Sequence, residues 1–223
     1  ALLPSCFELD GEPIVTVELQ QLRNLRWLAG RGYDTLGVKF PARFDGAVDQ
    51  ARGSFLAVLW ENLADPIVSG REELGYNKLY CETDPVRRVG DRHLISAGWL
   101  GHRFFEMEIA GLSEQAPAAT SAPSPDAGIL TGTLHHKFIP ATGDWGDADA
   151  DYPVLTPPQA GTRTLQAWSG TGSVRFVRSS WENLPTLHHV VNRLADLPQV
   201  ETLGASVVKS VGGGDLYNQR RLR

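Results

Sequence analysis

Short runs of β-branched and aromatic residues, each closed by glycine, proline or another turn former, recur along almost the whole chain and constrain its fold more than any other feature. Residues 14–19, 39–44, 55–60, 93–100, 103–109, 131–139, 162–168, 174–178 and 202–209 read as strands on this basis. Their connections are short, which predicts antiparallel pairing. One helix stands out: after Pro185, Leu187, Val190, Val191 and Leu194 share a face, and Pro198 closes the segment. The chain is therefore expected to be mainly β (α+β), with one prominent helix in its C-terminal half. Composition does not distinguish a barrel from a sandwich.

A chain of 223 residues can build one large β domain or two small ones. The formal net charge of -5, from 21 basic and 26 acidic residues without a basic run, offers no electrostatic footprint for nucleic acid. No signal peptide is read in these residues and no apolar run is long enough to span a bilayer, so no membrane partner is expected. Cys6 and Cys81 make neither a disulfide framework nor a metal motif, which suits a reducing compartment, the cytoplasm. Cys81 reads as a small buried hydrophobe.

Other clusters resolve to unreactive readings. Asp144, Asp147, Asp149 and Asp151 invite a calcium loop, but Tyr152 stands where glycine is needed and no glutamate closes the loop. They read as a solvated acidic hairpin loop. His135-His136 and His188-His189 cannot chelate as pairs, since neighbours on a strand face opposite sides and neighbours on a helix are about 100° apart. No metal is expected, and no cofactor. Gly212-Gly213-Gly214 lacks the context of a phosphate loop and reads as a turn. The repeated Trp-Glu-Asn-Leu at 60–63 and 181–184 extends no further and marks no internal repeat.

The segment Gly70-Arg71-Glu72-Glu73-Leu74-Gly75-Tyr76-Asn77-Lys78 is where chemistry concentrates. Only Lys39, Lys78, Lys137 and Lys209 occur in the chain, and Lys78 sits between Tyr76 and Leu79-Tyr80-Cys81 rather than among charges. Two readings fit. Lys78 snorkels from the end of an apolar strand, or it is a buried nucleophile that forms a Schiff base, which requires the neutral amine. Desolvation that lowers a lysine from about 10.4 by about 3.5 units, worth about 4.8 kcal/mol, makes a large fraction neutral without a charged partner.

The chain resembles the acetoacetate decarboxylase family over most of its length. The family's lysine segment, Gly-Arg-Glu, five residues, then the Schiff-base lysine, is matched by Gly70-Arg71-Glu72 through Lys78. Upstream, Leu3-Pro4, Phe7-Glu8-Leu9-Asp10 and Val15-Thr16-Val17-Glu18-Leu19 are similar to its early segments, with Glu18 at an active-site glutamate. Tyr33-Asp34-Thr35-Leu36-Gly37 with Pro41, Phe44 and Gly46 resembles the following strand and turn, and residues 55–60 the strand before the lysine. Residues 134–140, 166–170 and 194–198 resemble the second half in the same order. The resemblance implies a single domain over 1–223, an antiparallel cone-shaped β-barrel with the pocket inside. It also makes 113–128, rich in alanine, proline and serine, a surface loop rather than an interdomain linker.

Three departures concern which reaction is run. Leu79 replaces the second lysine of the best-known members, acetoacetate decarboxylase being itself the standard illustration of activation by a neighbouring cation. Thr35 stands where another active-site glutamate is expected, and Asp34 faces the opposite side of its strand. The family's carboxylate-binding arginine precedes the Leu3-Pro4 segment, so it is absent from this sequence or lies before Ala1.

The resemblance implies a Schiff-base lyase acting on a small oxo acid, assembled as a homo-oligomer. Lys78 is the expected nucleophile and Glu18 orients the amine or shuttles its proton. Tyr76 packs beside the iminium, Trp60 and Leu79 form an apolar wall, and Thr35 lines the substrate site. Arg71 and Glu72 are expected to fix the loop as an ion pair. Decarboxylation of a β-keto acid leads; an aldolase, dehydratase or cyclase that keeps the lysine is the alternative, and a non-catalytic ligand-binding barrel is the third reading.

Overall fold

The computed structural model describes residues 2–116, 128–213 and 218–223. In chain order its elements begin with β1 (Glu8–Leu9), β2 (Thr16–Leu25), β3 (Arg31–Asp45), β4 (Gln50–Glu61), α1 (Ala64–Ser69) and β5 (Lys78–Tyr80). Then come β6 (Glu82–Thr83), β7 (Arg87–Val89), β8 (Arg92–Trp99), β9 (His102–Gln115), β10 (Ile129–Pro140) and β11 (Ala148–Thr156). The last are β12 (Arg163–Phe176), α2 (His188–Ala195), β13 (Ala205–Val211) and β14 (Arg220–Arg221). Strand predominates, and α2 is the helix that the periodicity predicts. The segments 162–168 and 174–178 are one strand, β12. It runs through Gly170 at a register shift, where a side chain would strike the Ala110 carbonyl of β9.

The chain divides into two compact units. The first comprises Ala1–Tyr80, Ser121–Gly161 and Gly213–Arg223, and carries an eight-stranded sheet of order β1-β3-β4-β10-β11-β14, with β2 added on β3 and β5 on β4. Pairing here is not uniformly antiparallel, as short connections had predicted. β4 runs parallel to β10, from Gln50 opposite Ile129 to Phe55 opposite Leu134, and parallel to β5, from Leu59 opposite Lys78 to Glu61 opposite Tyr80. Parallel neighbours need a crossover, and between β4 and β5 it is α1 with the wide π turn Gly70–Leu74 that continues it. Phe7 packs against Phe44 and Phe55, at centroid distances of 6.0 and 5.1 Å, and Leu36, Trp60, Leu134 and Leu155 are buried in the same unit.

The second unit, Cys81–Thr120 with Thr162–Gly212, carries a six-stranded sheet of order β13-β12-β9-β8-β6, with β7 on β8. Phe104, Phe105 and Phe176 are buried in it, as are Val191 and Leu194 on the apolar stripe of α2.

The acidic loop is only partly a loop. Asp144 and Asp147 lie in the turn between β10 and β11, but Asp149 and Asp151 belong to β11 and stand exposed at alternate positions, the period of a strand. Asp151 pairs with His136 across the hairpin at 3.1 Å. Of the expected loop 113–128, residues 113–115 extend β9, and 117–127 lie outside the described residues, as does Gly214. Cys6 is half-buried and Cys81 is buried. Among the described residues no helix is long and apolar enough to cross a membrane.

Candidate active site

The site is assembled where β5 joins β4. Lys78 opens β5 opposite Leu59, so its side chain shares a face with Leu59 and Glu61, which are two apart on β4. Glu61 is then the diagonal neighbour, within reach of a long side chain. The Lys78 Nζ lies 2.9 Å from Glu61 Oε1, with Lys78 6% exposed and Glu61 1%. The crossover covers the same face. Nζ also donates to the Pro66 carbonyl of α1 at 2.9 Å, and the lysine chain lies against Gly70.

The crossover ends where Gly75 adopts φ +81°, the left-handed conformation that closes a helix at its C′ position. A side chain there would also meet the Cβ of Lys137 on β10. Two residues on one face of β10 then grip this end. His135 Nδ1 lies 3.0 Å from the Gly75 carbonyl, and Lys137 Nζ donates to the Glu72 carbonyl at 2.6 Å. Tyr76, which follows, stacks on the His135 ring at 4.1 Å and 17°, donates its O–H to Thr156 Oγ1 at 2.6 Å, and brings its ring centroid to 5.6 Å from Nζ.

Taking two charges out of water costs several kcal/mol per ion, and well-packed apolar residues serve stability as well or better. The Lys78–Glu61 pair is also incompletely satisfied, because Glu61 Oε2 is buried with no hydrogen-bond partner among the described residues. A buried pair that leaves an acceptor empty calls for an explanation beyond packing, which makes this cluster the candidate site. Burial pushes the Glu61 carboxyl above the usual carboxylate range, while the charge and hydrogen bond of Lys78 pull it back. Burial likewise raises the Tyr76 phenol, and raises the Tyr33 phenol with help from the charges of Glu61 and Tyr76. Both phenols therefore stay neutral beside the pair. His135, 0% exposed, is held by burial at a pKa of about 4 and is also neutral.

Of the residues expected in the site, Lys78 and Tyr76 come together. Thr35 is buried directly opposite Glu61 in the β3–β4 register, so the face where a glutamate was expected holds one on the neighbouring strand. Glu18 does not meet the amine. It pairs with Lys39 and accepts from Gln20, and its row runs through Gly37 and Leu59 before reaching Lys78, three strand spacings or roughly 14 Å away. Trp60 and Leu79 pair with each other on the opposite face, because each is one residue removed from a member of the site and strand neighbours alternate. Arg71 and Glu72 form no ion pair. Arg71 instead donates to the Lys78 carbonyl at 3.0 Å, and Glu72 contributes its carbonyl to Lys137.

Glu61, Pro66, Gly70, Tyr33, His135 and Thr156 were not expected in the site. Signals for the crossover were present, with Asp65 and Pro66 in the first turn and Gly75 at the end. A pocket of about 180 Å³ adjoins the cluster, sharing Gly75 and Tyr76 with it and lined otherwise by Arg71, Glu72, Asn77 and residues 138–140; the Lys78 amine is not on its wall. Among the described residues no group of three histidine, cysteine or acidic side chains could hold a metal ion.

A solved acetoacetate decarboxylase structure superposes with a TM-score of 0.72 at 18% identity, covering 99% of this chain and 80% of that one. The enduracididine biosynthesis enzyme MppR, solved with pyruvate, gives 0.64 at 16% identity over 99% and 81% of the two chains. An acetoacetate decarboxylase-like enzyme from Sphingomonas wittichii RW1 gives 0.64 at 17% over 99% and 84%. No curated protein matches the chain. At these identities the structures speak for the fold, whereas the family model for acetoacetate decarboxylase matches the sequence itself over residues 1–214. With that match over nearly its whole length, the chain belongs to the acetoacetate decarboxylase family.

Proposed function

We propose that the protein is a Schiff-base lyase in which Lys78 condenses with the carbonyl of a small oxo acid and Glu61 carries the protons. The observation behind this reading is the buried contact of Lys78 Nζ with Glu61 Oε1, with Oε2 lacking a partner among the described residues and so able to receive a group from the substrate. An amine attacks only after shedding a proton, and Glu61 is in contact to take it. The nitrogen lone pair then bonds the carbonyl carbon, and the carbonyl electrons move to oxygen, which collects the proton from Glu61. A further proton transfer from nitrogen to that oxygen releases water and leaves the iminium. In a β-keto acid the bond to the carboxylate breaks next, its electron pair forms the carbon–carbon double bond of an enamine, and carbon dioxide departs. Glu61, which has given up its proton to the departing oxygen, takes another from water and passes it to the enamine carbon, and water then hydrolyses the iminium to return ketone and amine.

A second reading branches at the enamine. Thr35 where the family pattern has a glutamate, and a structural neighbour solved with pyruvate, favour an aldolase, dehydratase or cyclase, in which the enamine carbon attacks a second carbonyl. Incubation with acetoacetate or pyruvate followed by borohydride, with the mass increase mapped, tests both. An adduct on Lys78, absent from Lys78→Arg, is expected; no adduct with either acid would sink the Schiff-base mechanism. Carbon dioxide released from acetoacetate separates the first reading from the second.

A further inference from the structure

With His135 neutral, the hydrogen bonds behind Tyr76 run in one direction. The Gly75 carbonyl can only accept, so His135 Nδ1 carries the hydrogen and Nε2 is left as an acceptor. Thr156 Oγ1, 3.0 Å from Nε2, must therefore donate to it, and its remaining lone pairs receive the Tyr76 O–H at 2.6 Å. All three side chains are buried. An imidazolium would turn Nε2 into a donor to Thr156 and send the Thr156 hydrogen toward Tyr76 instead, so this direction belongs to the neutral His135 that burial favours.

This chain of bonds ends on a ring that faces a cation. Tyr76 is held by the His135 ring stacked against it and by its hydroxyl, and its centroid lies 5.6 Å from Nζ, within the range of a cation–π contact. The same histidine fixes the carbonyl at the end of the crossover that carries Pro66 and Gly70, both of which touch the lysine. Resting on the Schiff-base reading, we infer that His135, acting through Thr156, is a positioning residue that locks the Tyr76 ring as the cation–π partner of the iminium on Lys78. Phenol donation to Thr156 keeps electron density on the ring where positive charge persists.

The test measures the pyruvate concentration at which half of Lys78 is trapped by borohydride, together with thermal unfolding. Thr156→Val removes both the acceptor for Tyr76 and the donor to His135, and is expected to raise that concentration about tenfold; Thr156→Ser, which keeps the hydroxyl, stays within about threefold of the parent. Tyr76→Phe, which keeps the ring but not the donor, is expected to raise it about threefold and carries the test if Thr156→Val does not fold. A folded Thr156→Val or Tyr76→Phe that traps like the parent overturns this inference alone. So would a Thr156→Ser as impaired as Thr156→Val, since that points to packing rather than to the hydrogen bonds. A parent protein that gives no adduct overturns the Schiff-base reading and this inference with it.

Discussion

Gly70 and Lys78 occupy each other's space: a β-carbon placed on Gly70 would stand 2.5 Å from the Lys78 Nζ. The glycine of the Gly-Arg-Glu segment has ordinary helical φ and ψ, so left-handed backbone is not its reason; it leaves room for the amine.

Gly70→Ala is accordingly expected to push Nζ away from Glu61 and Pro66. The trapping rate with acetoacetate should fall at least about tenfold, and overpacking should lower stability by about 1–3 kcal/mol. A variant with the parent's trapping rate would show that the lysine adjusts without loss.

Glu61→Gln keeps an oxygen near Nζ but cannot take its proton. Turnover and adduct formation should drop by about 10²-fold or more, read by single-turnover trapping. Glu61→Leu leaves the Lys78 ammonium buried without its counter-ion and should cost about 3–5 kcal/mol at neutral pH, read by urea denaturation.

Lys78→Met removes the one influence that pulls the Glu61 carboxyl down, leaving burial to raise it further. Carbon-13 NMR of the glutamate side chains should find one titrating higher in the variant than in the parent. A raised carboxyl favours the folded state in acid, so the variant's destabilisation should be smallest below about pH 4 and should grow as pH rises through the carboxylate range. A pH-independent difference would contradict this.

His135 gives the opposite slope. Its folded pKa of about 4 lies below the unfolded value of about 6.5, so the folded state binds the proton more weakly. Its contribution is complete above pH 6.5 and is lost as pH falls toward 4, a change of about 3 kcal/mol. In urea midpoints at pH 7, 5.5 and 4.5, the stability difference between the parent and His135→Gln should shrink toward acid; a constant difference would mean that His135 is not buried in its neutral form.

Much of the fold and two members of the candidate site, Lys78 and Tyr76, were legible in the sequence. Alternation and turn residues marked most strands because both act over a few neighbours, and the stripe ending at Leu194 marked α2 for the same reason. The register of Gly70 through Lys78 singled out the lysine, and its apolar company suggested burial, which the structure bears out at 6% exposure. Local pattern misread what depends on pairing. The alternate acids of β11 looked like a loop, although their period of two was itself a strand signal. Trp60 and Leu79 looked like the wall of the site because they adjoin it in sequence, yet a single step along a strand puts them on its other face.

By itself, then, the sequence determined that the chain is mostly strand and presents a lysine in apolar surroundings. Only the tertiary structure decided that the partner of that lysine is Glu61. The choice follows from the parallel register of β4 and β5, which sets Leu59 opposite Lys78 and Glu61 on the diagonal, and from a crossover that lays Pro66 and Gly70 over the amine. Glu18 shares the face but lies across β3 and β4, and it is already bound to Lys39. No spacing in one chain encodes such a choice, because a contact across strands depends on which edge is free and how the intervening segment folds back.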